Sequence, residues 1–213
     1  DIPQVQKRAE ATGAVKAVVR DGRDLFVRYF VFPALAAGAL YQGQYPLATA
    51  LARPLIAKLM VDVAREEGAT AVAHGSTGKG NDQVRFELTA FALMPEVRII
   101  APWREWNIRS REDAVEYLQE HGYAVPKSSG SSLYSRDRNL WHLSHEGGPL
   151  ERPAQEPEES MYQWTTSPQN APEKTEDVTV GFHEGVPVSV NGKRLGAAEL
   201  VETVSARGAR HGV

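Results

Sequence analysis

A short apolar run, a glycine-rich loop and a helical pattern follow one another in the first half of the chain, and this order constrains the fold most. Thr70–Ala73 has the length and composition of a buried strand, and the loop at residues 74–80 contains three glycines. Asn81–Leu93 has helical spacing, and Val97–Ala101 is a second apolar run that ends before Pro102. Strands that alternate with helices in this way predict βαβ units and a mainly parallel sheet.

The segments before this unit extend the same pattern. Ala14–Val19 is a short apolar, β-branched run of strand-like character. Leu25–Leu40 is helix-like, and Pro33 is expected to bend or break that helix. Thr49–Glu67 is the clearest helix, because leucine and valine recur on one face and Gly68 follows as a stop signal. The first half is therefore predicted to be an α/β domain.

The character of the chain changes near residue 123, so we predict a domain at 1–122 and a second one at 123–213. A helix that opens at Ser110–Asp113 with a capping-box-like start and ends at Gly122 closes the first domain. Lys127–Ser132 reads as a flexible polar connector, and Glu151–Glu176 is too rich in Pro, Glu and Gln to be helical.

The end of the chain has hairpin signals. Val178–Phe182 and Val186–Val190 are joined by Glu184–Gly185, which predicts two antiparallel strands. Asn191–Gly192 marks a further turn, and a helix is expected at about Ala197–Arg207. The second half is therefore predicted to be part of an α+β domain.

Composition excludes several kinds of site. The chain has no cysteine, which rules out disulfides, thiolate metal ligands and cysteine nucleophiles. His142 and His145 lie three residues apart, but no third ligand recurs at a metal-binding interval. The net charge of -3 and the lack of a basic cluster argue against a nucleic-acid partner. No apolar run approaches the roughly 20 residues of a membrane span, so we expect no membrane contact.

The loop after Thr70–Ala73 has the composition of an anion site. Its glycines allow backbone N–H groups to approach an anion, Ser76 and Thr77 add hydroxyls, and Lys79 adds a positive charge. It is not a Walker A loop, because Ala73 stands where the first glycine is needed, and Gln83 breaks the dinucleotide-binding glycine pattern. A glycine-rich turn without a ligand remains the alternative.

Polar residues beyond the loop favour an amino-acid ligand. Asn81, Asp82 and Arg85 cluster in the first turns of the predicted helix, and together they offer both donors and acceptors, as a zwitterion requires. Thr49 is predicted to be the N-cap of its helix, where a hydroxyl could also hold a substrate carboxylate. Tyr45 could equally be a packing residue or a ligand contact.

Several strings of residues are particular to one family, and they recur in this chain in order and spacing. They are Tyr45–Leu47, Leu51–Ala57, Gly78–Glu87, Ile100–Arg104, Asn139–Trp141, Glu146–Gly148, Gly185–Val188 and His211–Val213. On these residues the chain resembles the argininosuccinate synthetases over essentially its whole length.

The resemblance implies a ligase of arginine biosynthesis on a nucleotide-binding scaffold of the adenine nucleotide alpha hydrolase type. Such an enzyme condenses citrulline with aspartate through a citrullyl-adenylate and consumes ATP, with Mg²⁺, to release AMP and pyrophosphate. The resemblance also implies a cytoplasmic homotetramer.

Site residues follow from the same resemblance. Gly75 corresponds to a nucleotide contact, and Asn81 is shared between both amino acids. The aspartate set is Thr77, Asn81 and Asp82, and the citrulline set is Tyr45, Thr49, Asn81, Arg85, Ser135 and Ser144. Thr49 is included because Ala50 stands where some members have a citrulline-binding serine.

The chain also departs from the family pattern. Members begin with a Ser-Gly-Gly-x-Asp-Thr-Ser loop that grips the pyrophosphate of ATP, and they continue beyond His211–Val213 into further citrulline contacts and a tetramerisation helix. These parts are not in the sequence, so the 213 residues are expected to be inactive by themselves. Two alternatives stay open, a non-catalytic descendant and another adenylating enzyme such as a tRNA sulfur-transfer enzyme. The absence of cysteine and of a basic face counts against the latter.

Overall fold

The computed structural model describes residues 2–78, 80–108, 111–123 and 134–213, with the backbone alone at 111 and 112. The chain divides into two compact units, residues 1–21 with 53–132 (unit 1) and residues 22–52 with 133–213 (unit 2). The boundary proposed between residues 122 and 123 follows the chain alone and stays a prediction. Lys79, Ser110 and the connector at 127–132 lie outside the described residues.

Unit 1 contains helices around a short parallel strand pair. Its elements are α1 (Ile2–Ala11), the greater part of α4 (Ala48–Glu66), β1 (Ala71–Ala73), α5 (Asn81–Leu93), β2 (Arg98–Ile100), a 3-10 turn at Pro102–Arg104 and α6 (Arg111–Glu120). Strands β1 and β2 are parallel and place Val72 opposite Ile99. The parallel α/β class predicted from the alternation of strands and helices is therefore confirmed.

An apolar core holds unit 1 together. Its buried members come from α4, β1, α5 and the residue before β2, and they are Val61, Ala64, Val72, Ala90 and Val97. Full burial of a valine-sized side chain contributes about 1.5–3 kcal/mol. The core fixes α4 and α5 against the strands and so determines where the loop between β1 and α5 begins and ends.

Helix α4 ends as the sequence predicts. Gly68 adopts a φ of 65°, which an L-residue rarely tolerates. Its N–H bonds to the carbonyl of Arg65, and the N–H of Ala69 bonds to the carbonyl of Ala64, which is the hydrogen-bond pattern of a Schellman motif. Across the described part of the chain, every helix is too short or too polar to cross a lipid bilayer.

The strand-like prediction for Ala14–Val19 is wrong, because these residues form no regular secondary structure. Val15 is fully exposed, so the apolar run does not enter the core. Lys16 within the run and Arg20 directly after it instead form ion pairs with Glu67 and Glu66 at the end of α4. These exposed ion pairs connect the segment to the end of α4, and the segment forms no strand ladder.

Unit 2 combines a helical segment, two antiparallel sheets and a C-terminal helix. Its elements are α2 (Arg23–Phe26), a π-helical turn (Val27–Val31), α3 (Phe32–Ala36), β3 (Ser135–Arg138), β4 (Leu143–Glu146), β5 (Val180–His183), β6 (Val186–Val190), β7 (Lys193–Arg194) and α7 (Ala197–Arg210). Between β4 and β5 the chain makes only short 3-10 turns, as predicted for Glu151–Glu176.

Pro33 changes the helix without ending it. The chain is helical from Arg23 to Ala36, and the π turn at Val27–Val31 lies directly before the turn that contains Pro33. Proline lacks an N–H and its ring clashes with the carbonyl four residues earlier, so the regular bonding pattern must change there. A π turn supplies that change and leaves Val27 and Val31 fully buried.

The predicted C-terminal hairpin is confirmed, and both of its turns use left-handed residues. Glu184 and Gly185 have φ values of 49° and 79°, and Asn191 and Gly192 have the same pair of values. Two consecutive positive φ values define the type I′ turn that suits the twist of paired strands. Helix α7 packs against β6 and the π turn.

Candidate functional site

The loop from His74 to Gly80 leads from the carboxyl end of β1 into α5. Gly80 is the N-cap of α5 and supplies no capping side chain. A Cβ on Gly80 would lie 3.4 Å from the Thr77 hydroxyl oxygen, so that hydroxyl lies beside the start of the helix. A Cβ on Gly75 would meet no atom within 4 Å, so its backbone is open to close approach. In parallel sheets, ligands bind at this edge.

Asp82 lies between two arginines in the first turns of α5. Arg53 of α4 donates from Nε to Asp82 Oδ2 at 2.8 Å, and Arg85 donates to Oδ1, also at 2.8 Å. The three side chains are 23–31% exposed. At neutral pH the Asp82 carboxylate is therefore held between two guanidinium cations, which restrict its orientation.

Unit 1 therefore brings five predicted residues to the loop and the start of α5. They are Gly75, Thr77, Asn81, Asp82 and Arg85. Reasoning from the sequence missed Arg53, which lies 29 positions before Asp82. The only available signal for Arg53 was its place in the string Leu51–Ala57, which is particular to the family. That string does not indicate which residue Arg53 contacts.

In unit 2, the segment before α4 positions Tyr45 and Thr49. The Tyr45 hydroxyl accepts a bond from the Thr49 backbone N–H at 3.4 Å. The N-cap prediction for Thr49 is wrong, because α4 begins at Ala48 and the Leu47 carbonyl accepts the first helical bond, from Leu51. The Thr49 hydroxyl thus belongs to the first turn of the helix. Leu47 has a φ of 56°, which is strained for a residue with a side chain.

Ser135 and Ser144 lie on the hairpin of β3 and β4, which is antiparallel. Asp137 pairs with Ser144, and Ser135 pairs with Glu146. Residues paired across a ladder share a face, and alternate residues of one strand do too. All four side chains therefore lie on one face of the hairpin, so the structure brings Ser135 and Ser144 together.

The turn of this hairpin supports the segment that carries Tyr45. The Asn139 side-chain amide donates to the Ala48 carbonyl at 3.0 Å, and the Trp141 indole N–H donates to the Pro46 carbonyl at 3.3 Å. The His142 ring meets the Tyr45 ring edge to face, with centroids 5.2 Å apart. These contacts fix Tyr45 through both its backbone neighbours and its ring.

Two imidazoles next to Ser144 border a cavity of about 390 Å³ in unit 2. Nε2 of His142 and Nε2 of His145 are buried and have no hydrogen-bond partner among the described residues. Burial lowers the pKa of His142, and the negative charge of Asp137 only partly offsets this effect. Burial and the positive charge of Arg136 both lower the pKa of His145. Both rings are therefore neutral at pH 7.

These lowered pKa values predict a loss of stability in acid. The unfolded chain, with histidine pKa values near about 6.5, binds protons before the folded chain does. Stability should therefore fall as the pH drops below about 6.5 toward the lower pKa values of the folded state. Denaturant unfolding at pH 7.5 and 5.5 measures this slope, and the double variant His142→Gln/His145→Gln should flatten it. An unchanged slope in the double variant would contradict the assignment.

A parallel strand pair followed by an open loop and a helix defines an open α/β domain, and a charged cluster lies at the start of that helix. Family profiles identify it further. The profile described as "Arginosuccinate synthase N-terminal HUP domain" matches residues 1–124, and "Arginosuccinate synthase C-terminal domain" matches residues 134–213. The chain belongs to the argininosuccinate synthase family, whose members are ligases.

Individual relatives agree with the profiles. The chain is 57% identical over all 213 residues to the argininosuccinate synthase of Roseiflexus castenholzii, covering 53% of that protein. It is 53% identical over its whole length to the "Argininosuccinate synthase, chloroplastic" of Arabidopsis thaliana and covers 43% of it. It is 52% identical over its whole length to the argininosuccinate synthase of Carboxydothermus hydrogenoformans and covers 53% of that protein. The chain spans about half the length of the curated relatives it matches.

Proposed function

We propose that the protein containing this chain condenses citrulline and aspartate to argininosuccinate and converts ATP to AMP and pyrophosphate. The observation that carries the proposal is the cluster of Arg53, Asp82 and Arg85 beside the open loop of an argininosuccinate synthase fold. The Arg85 guanidinium of this cluster suits substrates that are anions or carry carboxylates, and both amino acids and ATP meet that description.

Roles in unit 1 follow from the chemistry of each group. Arg85 is proposed to bind the citrulline carboxylate, for which a guanidinium offers paired donors. Thr77 and Asn81 are proposed to bind the aspartate carboxylates, and Asn81 also contacts citrulline. Each carboxylate oxygen of Asp82 accepts one hydrogen bond from an arginine. Because a carboxylate can accept about four hydrogen bonds, Asp82 can still accept bonds from the ammonium group of the substrate aspartate.

In unit 2, Tyr45, Thr49, Ser135 and Ser144 are proposed as citrulline contacts. The shared face of Ser135 and Ser144 supports the pair, because neutral hydroxyls can donate to or accept from a ureido group. The packing of His142 on Tyr45 supports a fixed orientation for the phenol. Gly75, in unit 1, is proposed as the backbone contact to the nucleotide.

The proposed reaction has two steps. The ureido oxygen of citrulline attacks the α-phosphorus of ATP, and pyrophosphate leaves. The amino nitrogen of aspartate then attacks the ureido carbon, the bond to oxygen breaks, and AMP leaves with that oxygen while the nitrogen loses a proton. No covalent enzyme intermediate is needed, so the side chains act by positioning the substrates and stabilising charge.

ATP is proposed to enter as its Mg²⁺ complex. Among the described residues, no group of three or more His, Asp or Glu side chains lies close enough to hold a metal ion. Mg²⁺ commonly keeps water ligands and binds substrate phosphates. The phosphates and water are therefore proposed as its main ligands, and no step is assigned to a protein-bound metal.

The remaining features of the proposal concern the whole protein. We propose a cytoplasmic enzyme that assembles as a homotetramer, as the family resemblance implies. Light scattering of the purified protein measures the assembly. A monomer or dimer at micromolar concentration would contradict it.

One assay tests the activity. Pyrophosphate release from ATP is measured with citrulline, with aspartate, with both and with neither, and only the complete mixture should sustain it. With citrulline labelled by ¹⁸O in the ureido group, the label should appear in AMP. No release with both amino acids present would refute the function, and unlabelled AMP would refute the adenylate route.

A further inference from the structure

A chain of hydrogen bonds connects the glycine-rich loop to the side chains behind it through His74. The Ser76 backbone N–H donates to Nδ1 of His74 at 3.3 Å, and Nε2 lies 3.0 Å from Oε1 of Glu87. Because Nδ1 accepts a bond, the proton is on Nε2 and is donated to Glu87. The His74 side chain is only 6% exposed and stacks on Phe86.

Arg104 continues the chain of bonds. Its guanidinium donates to Oε1 of Glu87 at 2.5 Å and to Oε2 at 3.3 Å. Glu87 is 16% exposed, so its charge is balanced by Arg104 in a partly desolvated position. A carboxylate held by a guanidinium fork cannot rotate freely, so Glu87 presents Oε1 to His74 in one orientation.

The same residues also fix the far end of the loop. A Cβ on Gly78 would lie 3.3 Å from Cγ of Arg104, so the arginine stem packs directly on the Gly78 backbone. The Gln83 side-chain amide donates to the Gly78 carbonyl at 2.8 Å. The loop is thus held near Ser76 through His74 and Glu87, and near Gly78 through Arg104, which itself binds Glu87.

We infer that His74, Glu87 and Arg104 are positioning residues that fix the loop at residues 75–78 in its binding conformation. The inference rests on the proposed function, in which Gly75 and Thr77 of this loop contact nucleotide and aspartate. Glycines give the loop a wide choice of backbone conformations, and a substrate would have to select one of them. The network makes that selection before substrate binds.

Two substitutions of His74 separate its two bonds. Asparagine places an acceptor near the position of Nδ1 and keeps the bond to Ser76, whereas glutamine places a donor near Nε2 and keeps the bond to Glu87. Because only His74→Gln loses the bond to Ser76, its KM for aspartate and its KM for ATP should each be at least about tenfold higher than those of His74→Asn. The KM for citrulline should differ by less than about twofold between the two variants. His121→Gln, at an exposed histidine of the same unit, is the matched control.

Activity-independent measurements decide the inference if either variant folds poorly or the proposed activity is absent. Imidazole ¹⁵N spectra of the wild-type protein should show His74 protonated on Nε2 and unprotonated on Nδ1. The Ser76 amide should exchange at least about tenfold faster in His74→Gln than in His74→Asn. A proton on Nδ1, or equal effects of both substitutions on all three substrates, would overturn the inference. Absence of pyrophosphate release from the wild type would refute only the proposed function.

Discussion

Asp82→Asn is expected to lower kcat/KM for aspartate by at least about 100-fold, because one charge-assisted hydrogen bond to an arginine and the anionic partner proposed for the substrate ammonium are lost together. Asparagine keeps one acceptor oxygen, and its NH₂ group would face the guanidinium of Arg53 or Arg85. The arginines would then lose their shared orientation. Steady-state kinetics with each substrate varied in turn measures the effect.

Asp62→Asn provides a matched control for this substitution. Asp62 lies in the same unit, its side chain is 34% exposed against 30% for Asp82, and it also pairs with a cation, Lys58. Such an exposed pair on a helix is worth less than about 1 kcal/mol, so the control should fold and react normally. If Asp82→Asn reduces kcat/KM no more than Asp62→Asn does, the role proposed for Asp82 is wrong.

Arg85→Ala is expected to raise KM for citrulline by about 100-fold and KM for ATP by less than about threefold. A guanidinium that binds the citrulline carboxylate contributes mainly to that one substrate. KM for aspartate should rise to a smaller extent, because Arg85 also holds Oδ1 of Asp82. Initial rates of pyrophosphate release, with two substrates saturating, give each constant.

Arg85→Lys distinguishes the charge of this residue from its geometry. Lysine keeps the charge but cannot donate through a planar fork, so citrulline binding should be intermediate between wild type and Arg85→Ala. Arg98→Ala, at an exposed arginine of β2, controls for the loss of one positive charge from the unit. Equal increases in KM for citrulline and ATP would contradict the assignment of Arg85.

The elements of unit 1 could be predicted where local signals agree. Helix α5 spans Asn81–Leu93 as expected, and α4 ends at Glu66, just before the glycine that the pattern indicates. The strand predicted at Ala14–Val19 does not form, because β-branched residues favour strands only where a neighbouring strand and a core are available. Its valines have neither in the structure.

In unit 2 the hairpin of β3 and β4 was missed for a physical reason. Strand β3 reads Ser-Arg-Asp-Arg and has no apolar alternation, and its turn lacks the Asn-Gly type of signal that marked the later hairpin. Its stability comes from contacts remote in sequence, such as the bond from Asn139 to Ala48. The π turn before Pro33 was also missed, since a proline signals a change in the helix but not its form.

Residue types of the candidate site could be inferred from the sequence, but their partners could not. Asn81, Asp82 and Arg85 follow from composition and helical spacing, and the bond from Arg85 to Asp82 connects residues three apart. Arg53, His74 and Arg104 gain their importance only when α4, β1 and the turn after β2 converge on α5. Spacing along the chain carries no information about that convergence.

Leu47 has a consequence for attempts to make the protein more robust. Its left-handed backbone, between Tyr45 and Thr49, costs on the order of 1–2 kcal/mol that glycine would not incur. A screen for thermal tolerance would therefore favour glycine at this position. The same replacement would release the peptide that fixes Tyr45 relative to the start of α4, so selection for heat resistance and selection for the proposed activity would favour different residues at position 47.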